Sequence, residues 1–135
     1  MVLNSKLDRL GVKLYDSDQI CAPNISVKNN MSLIICDENI AIIYFDNIRI
    51  INKDDVTINH MGYLDIAIIP KEYRLFGSGD GTFINADGTS GFYIRCYSYT
   101  DYSVIGVYIG DYSLITHDNF VLGNYGTLVF PLTRI

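Results

Sequence analysis

Tyrosine is the most concentrated functional side chain in this sequence. Eleven occur in 135 residues, and six of them lie between Gly91 and Thr116, in GFYIRCYSYTDYSVIGVYIGDYSLIT. In that stretch Phe92, Ile94 and Cys96 alternate with Tyr93, Arg95 and Tyr97, and Tyr99 continues the second set. On a strand, such alternation puts the tyrosines on one face and the apolar residues on the other. A tyrosine ring is broad and rigid with a polar tip, which suits protein interfaces and sugar platforms. Tyr93, Arg95, Tyr97, Tyr99 and Tyr102 are therefore the candidate binding residues. The same face serves sheet packing equally well, because aromatic cross-strand pairs stabilise sheets.

The preceding stretch, GSGDGTFINADGTSG, repeats Asp-Gly-Thr at Asp80 and Asp87. Calcium takes six to eight oxygens, and Asp80, Asp87, Asn85, Thr82 and Thr89 supply several. The spacing fits neither an EF-hand nor a nine-residue calcium repeat, so two turns are the preferred reading and no metal is expected. Asp-Gly favours turns because both residues tolerate positive φ. The loop lacks the third glycine of a dinucleotide fingerprint and the lysine of a P-loop. His60 and His117 stand in separate turns with no partner at metal-ligand spacing. No G-x-S-x-G is present. Asp65, Glu72, Asp101 and Asp111 offer carboxylates for glycoside hydrolysis, but nothing singles out a pair. No catalytic residue and no cofactor are expected.

These side chains must be positioned by strands. Met31–Asn52 reads as strand, turn at Asp37-Glu38-Asn39, strand IAIIYF, turn at Asp46-Asn47, strand, with β-branched isoleucine favouring a pleated surface. The unbroken run Ala41–Phe45 predicts cover on both faces, by a second sheet and by another subunit or layer. Further strands are expected at Gln19–Ala22, Ile25–Lys28, Val56–Asn59, Tyr63–Ile69, Phe83–Asn85, Phe92–Tyr99, Val104–Ile109, Tyr112–Thr116 and Gly126–Ile135. In Tyr63–Ile69, Leu64, Ile66 and Ile68 are expected to share one face. Lys71–Phe76 reads as a charged connection or a short edge strand. Pro131 cannot donate to a ladder, which puts that strand at an edge there or bulges it. Leu3, Leu7, Leu10 and Leu14 are spaced 4, 3, 4, so a short helix capped at Asn4 or Ser5 and ending near Gly11 is expected. Many short strands with polar turns and no βαβ alternation predict an all-β, antiparallel sandwich, jelly-roll-like. It would span residues 15–135, preceded by an N-terminal segment 1–14 for oligomerisation or attachment.

Composition narrows the partners. The net charge is −5, and the ten Lys and Arg are scattered, which disfavours nucleic acid and anionic membrane. No apolar run reaches the ~18–20 residues of a membrane span, and Met1–Asp18 has no signal-peptide core. Cys21, Cys36 and Cys96 read as reduced thiols packed as small hydrophobes.

The leucine-spaced Met1–Leu14, the Gly/Asp loop Gly77–Gly91 and the closing strand Gly126–Ile135 together resemble the small β-sandwich modules of bacteriophage virions: tail-fibre heads, receptor-binding proteins and capsid decoration proteins. The resemblance implies a non-enzymatic structural protein in the virion, a homo-oligomer with a trimer favoured, that binds other virion proteins or a host-surface glycan. A carbohydrate-binding module or lectin using the tyrosine face is the alternative, and a small enzyme a second one.

Overall fold

The computed structural model describes residues 9–26 and 31–135. The expected N-terminal helix, with Leu3 and Leu7, lies outside the described residues apart from its end. The described chain turns at Gly11 (φ +74°) into β1 (Val12–Asp16), so the sheet starts ahead of the expected boundary at residue 15.

The fold is all-β and antiparallel, as the sequence predicts. Nine strands form one curled sheet, a half-barrel, where two stacked sheets were expected. After β1 come β2 (Met31–Cys36), β3 (Ile40–Ile50), β4 (Tyr63–Ile68), β5 (Tyr73–Leu75), β6 (Asp80–Ile84), β7 (Ser90–Ser98), β8 (Ser103–Tyr108) and β9 (Phe120–Arg134). The spatial order is β1-β2-β3-β9-β6-β7-β8-β4, with β5 also on β9. The curl lets a single sheet bury its own inner face. Leu33, Ile35, Ala41, Ile43, Phe45, Phe83, Ile94, Ile105, Val107 and Phe130 meet there with almost no exposure. The segment after β1 helps to close the open side. Ala22 N donates to Ile66 O on β4 (3.1 Å), and Cys21 and Ile25 form single bridges to Ala67 and Ile50.

β9 is the spine on which β3, β5 and β6 pair. Phe83 of β6 packs over Gly123 and Gly126 of β9, where a methyl on either glycine would collide with its ring, and edge-on against Phe45 at 5.6 Å. The Gly77–Gly81 run lies flat on the same strand: a side chain at Gly79 would meet Phe130 and the Val129 carbonyl at 2.9 Å. Pro131 is neither at an edge nor bulged: Ile40 of β3 is opposite it on one side, and its carbonyl accepts from Phe76 N (3.1 Å) on the other, so its missing N–H removes a single ladder bond just past the end of β5.

Several local expectations change. Asp46-Asn47 is not a turn. β3 runs through it with a bulge near Ile48, and Asn47 takes φ +53°. Asp80-Gly81 is strand rather than turn, because β6 starts there; Asp87-Gly88 does turn, with Gly88 at φ +85°. Gln19–Ala22 is not a strand. Asp16 caps a one-turn helix, Ser17–Ile20, through a reciprocal capping box with Gln19. The expected strands at Val56–Asn59 and Tyr112–Thr116 are replaced by 3-10 turns at Lys53–Asp55 and Tyr112–Leu114 with irregular chain after each. In β4 a bulge between Asp65 and Ala67 flips the pattern, so Ala67 and Ile69 are buried and Ile68 is not. Residues 27–28 of the expected Ile25–Lys28 strand lie outside the described residues.

Candidate binding surface

The outer face of β7, β8 and β4 carries the tyrosines. Arg95, Gly106 and Asp65 are directly opposite one another across the three strands. Gly106 has no side chain, and a methyl there would come within 2.7 Å of the Tyr97 hydroxyl and 2.8 Å of its Cε1. That gap lets the Tyr97 ring lie across β8 and reach Asp65 on β4. A glycine covered by a cross-strand aromatic ring is a known stabilising device in sheets.

The result is a closed hydrogen-bond network. Tyr97 donates to Asp65 Oδ1 (2.5 Å), and Tyr99 donates to the same carboxylate at 3.0 and 3.1 Å. Asn59 Nδ2 donates to both hydroxyls, each at 3.2 Å. Asn59 Oδ1 accepts from Met61 N and Tyr63 N, which fixes the loop before β4. Ring contacts run in a chain, Tyr108–Tyr63–Tyr97–Tyr99–Tyr102, with centroids 5.1–5.5 Å apart. Burial, then the bond to Asp65, pushes the Tyr97 phenol well above its usual range, and burial pushes Tyr102 upward. The protonated Tyr97 hydroxyl is the donor to Asp65.

Of the five candidate residues, Tyr97, Tyr99 and Tyr102 are brought together. Tyr93 and Arg95 stand apart from the ring chain. The Tyr93 hydroxyl donates to Asp80 Oδ2 (2.6 Å), which raises that phenol, and Arg95 pairs in register with Asp80. Asn59, Tyr63, Asp65 and Tyr108 complete the cluster and were not among the candidates. The alternation of Tyr63 with Asp65 in β4 was the available signal.

The two calcium candidates are separated. Asp80 opens β6, while Asp87 lies beyond its other end and accepts from Thr89 N (3.0 Å) and Thr89 Oγ1 (2.6 Å), which lowers its carboxyl. Among the described residues, no three His, Cys, Asp or Glu are placed to hold a metal ion.

Beside the network is a cavity of about 210 Å³. Ile25, Ile50, Val56 and Leu64 give it apolar walls, while Asp65 and Tyr99 bring the network to it. Across the sheet, the outer face of β1, β2, β3 and β9 is different. The register aligns Val12, Cys36, Ile40 and Pro131 in one row and Leu14, Ile34, Ile42 and Val129 in the next. Asp16, Ser32, Tyr44 and Thr127 form a third row, which is polar and carries a charge. Val129 is 61% exposed, Ile40 46%, Tyr44 44% and Leu14 42%.

No protein-family model matches the chain, and no curated protein or solved structure is detectably similar to it. Among the described residues, no helix is long and apolar enough to cross a membrane.

Proposed function

We propose that this chain is a non-enzymatic structural module that pairs the outer face of β1, β2, β3 and β9 with the same face of a second copy, in a virion of the kind the resemblance implies. The observation that supports it is the pair of apolar rows crossing four strands with no charged member. With strands about 4.8 Å apart and same-face residues about 6.8 Å apart, the two apolar rows cover roughly 260 Å². That is about a third of one partner's share of a standard interface, a dry centre that a polar rim, including the third row, would surround.

A second copy is the occupant this face fits. The chain carries a net charge of −5, so copies repel except where a surface is uncharged. One patch meeting itself is an isologous contact, which closes as a pair. The geometry thus favours a dimer over the trimer that the resemblance implies. The tyrosine face supports the sugar-binding alternative less well, because the Tyr97, Tyr99 and Asn59 polar groups are already engaged with one another and with Asp65. Sedimentation velocity over a micromolar concentration series tests the proposal. A species of twice 15.2 kDa that grows with concentration is expected, and a constant 15.2 kDa particle counts against it.

A further inference from the structure

The cavity beside the tyrosine network has an unbalanced chemistry. Asp65 is half-buried, and its burial is offset by tyrosine hydrogen bonds rather than by a described cation. Among the described residues the ion pairs are Lys53–Asp54 and Arg134–Glu38, and neither involves Asp65. The cavity lining includes Asp55 as well as Asp65 and contains no described Lys or Arg.

Counting donors and acceptors sharpens this. A carboxylate has about four lone-pair sites, and the Tyr97 and Tyr99 hydroxyls bring one hydrogen each. Tyr97 takes Oδ1, while the single hydrogen of Tyr99 is divided between Oδ1 and Oδ2, so Oδ2 keeps acceptor capacity. Both amide hydrogens of Asn59 are spent on the two phenols, and its oxygen is spent on Met61 N and Tyr63 N. Asn24, the other amide on the lining, holds the Asn52 backbone with its oxygen and one of its two amide hydrogens. The Thr57 and Tyr63 hydroxyls on the lining have no hydrogen-bond partner among the described residues. What the cavity offers is two carboxylates with no described cation, over an aliphatic wall and beside a few neutral donors. A neutral sugar would leave both carboxylate charges uncompensated. A primary ammonium has three donors and no acceptor.

We propose that this cavity binds the primary ammonium of an aliphatic amine, with the stem against Ile25, Ile50 and Val56 and the head against Asp65 and Asp55. The volume of about 210 Å³ is below the ~300–1,000 Å³ of drug-sized pockets, so the occupant is the size of one side chain. The chemistry is shared by a small free amine and by a lysine side chain on a partner protein. The site lies away from the self-association face and does not depend on it.

The test is an NMR titration of the full ¹⁵N-labelled chain at pH 7 with four probes: n-butylammonium, lysine blocked at both ends, 1-butanol and methyl β-glucoside. Saturable shifts are expected at residues 22–25, 55–59, 64–65 and 99 with n-butylammonium and not with butanol. Blocked lysine acting as well points to a protein side chain as the source; n-butylammonium acting alone points to a free amine. Asp65→Asn is expected to remove saturation, with folding checked by the dispersion of the same spectra. Asp55→Asn lies outside the tyrosine network and is expected to weaken binding about threefold, the scale of an exposed charge pair. Butanol or glucoside matching n-butylammonium overturns the proposal, as does affinity unchanged in both variants.

Discussion

The two outer faces of one sheet solve opposite problems. On β7, β8 and β4 the side chains are polar-tipped aromatics, two of whose hydroxyls, Tyr97 and Tyr99, are satisfied by Asp65 and Asn59. On β1, β2, β3 and β9 the side chains are aliphatic, and among the described residues nothing covers Val129 or Ile40. The first face satisfies the Tyr97 and Tyr99 hydroxyls within the chain; the second is the face proposed to meet a second copy. The contrast is between tyrosine tips that are hydrogen-bonded within the chain and isoleucine, valine and leucine that stand exposed.

If the tyrosine face is a structural unit, breaking it must cost stability. The largest effect is expected from Gly106→Val, whose branches would drive Tyr97 off β8 and away from Asp65. Overpacking with loss of that bond predicts roughly 3 kcal/mol in urea unfolding. Asp65→Ala leaves the Tyr97 and Tyr99 hydroxyls without their acceptor and is expected to cost about 2 kcal/mol in the same measurement.

Tyr97→Phe should be read in alkali. The folded phenol is raised above its unfolded value near ~10, so its contribution is fully present below that pH. As pH rises past it, the unfolded chain loses the proton that the folded chain keeps, and stability falls. Tyr15, raised by burial, then by Tyr73 and Glu72, acts in the same direction. Unfolding free energy measured from pH 9 to 11 should drop with a shallower slope in Tyr97→Phe than in the parent; equal slopes would mean the phenol ionises normally in the fold. On the other face, Val129→Lys should leave monomer stability within about 0.5 kcal/mol, as for an exposed site. A loss comparable to that of Asp65→Ala would mean Val129 packs within its own chain and the contrast between faces is false.

The thiols give a smaller check. Burial, then Asp18, pushes Cys21 up to about 11, and burial raises Cys96. Native-state alkylation of Cys21 should stay slow at pH 9 and accelerate only as pH approaches its raised value.

Much of the fold was legible because it is local. The Asp37-Glu38-Asn39 turn, with both acids at positive φ, follows from turn chemistry. Some misses were legible too. Asp111 and Asn52 each accept from the N–H two residues on, an Asx-turn signature that overrode apparent alternation. Asp16 and Gln19 spell a capping box. The β4 and β3 bulges were not legible, because one extra residue inverts a strand's faces without changing its composition. Nor was the Asp65 cluster, which needs β4 beside β8 beside β7 to bring Tyr99 onto a residue 34 positions earlier. The single curled sheet also depends on which strands close around the core, and alternation alone does not carry that.

The central claim is that the aliphatic face meets itself, and a charge-complementation experiment tests it most directly. Val129→Lys and Val129→Glu are each measured alone and then mixed, by sedimentation at concentrations where the parent associates. Each variant alone should sediment as the 15.2 kDa chain, and the mixture should recover a species of twice that mass. Variants that associate alone as fully as the parent, or a mixture that stays at 15.2 kDa, would contradict the account.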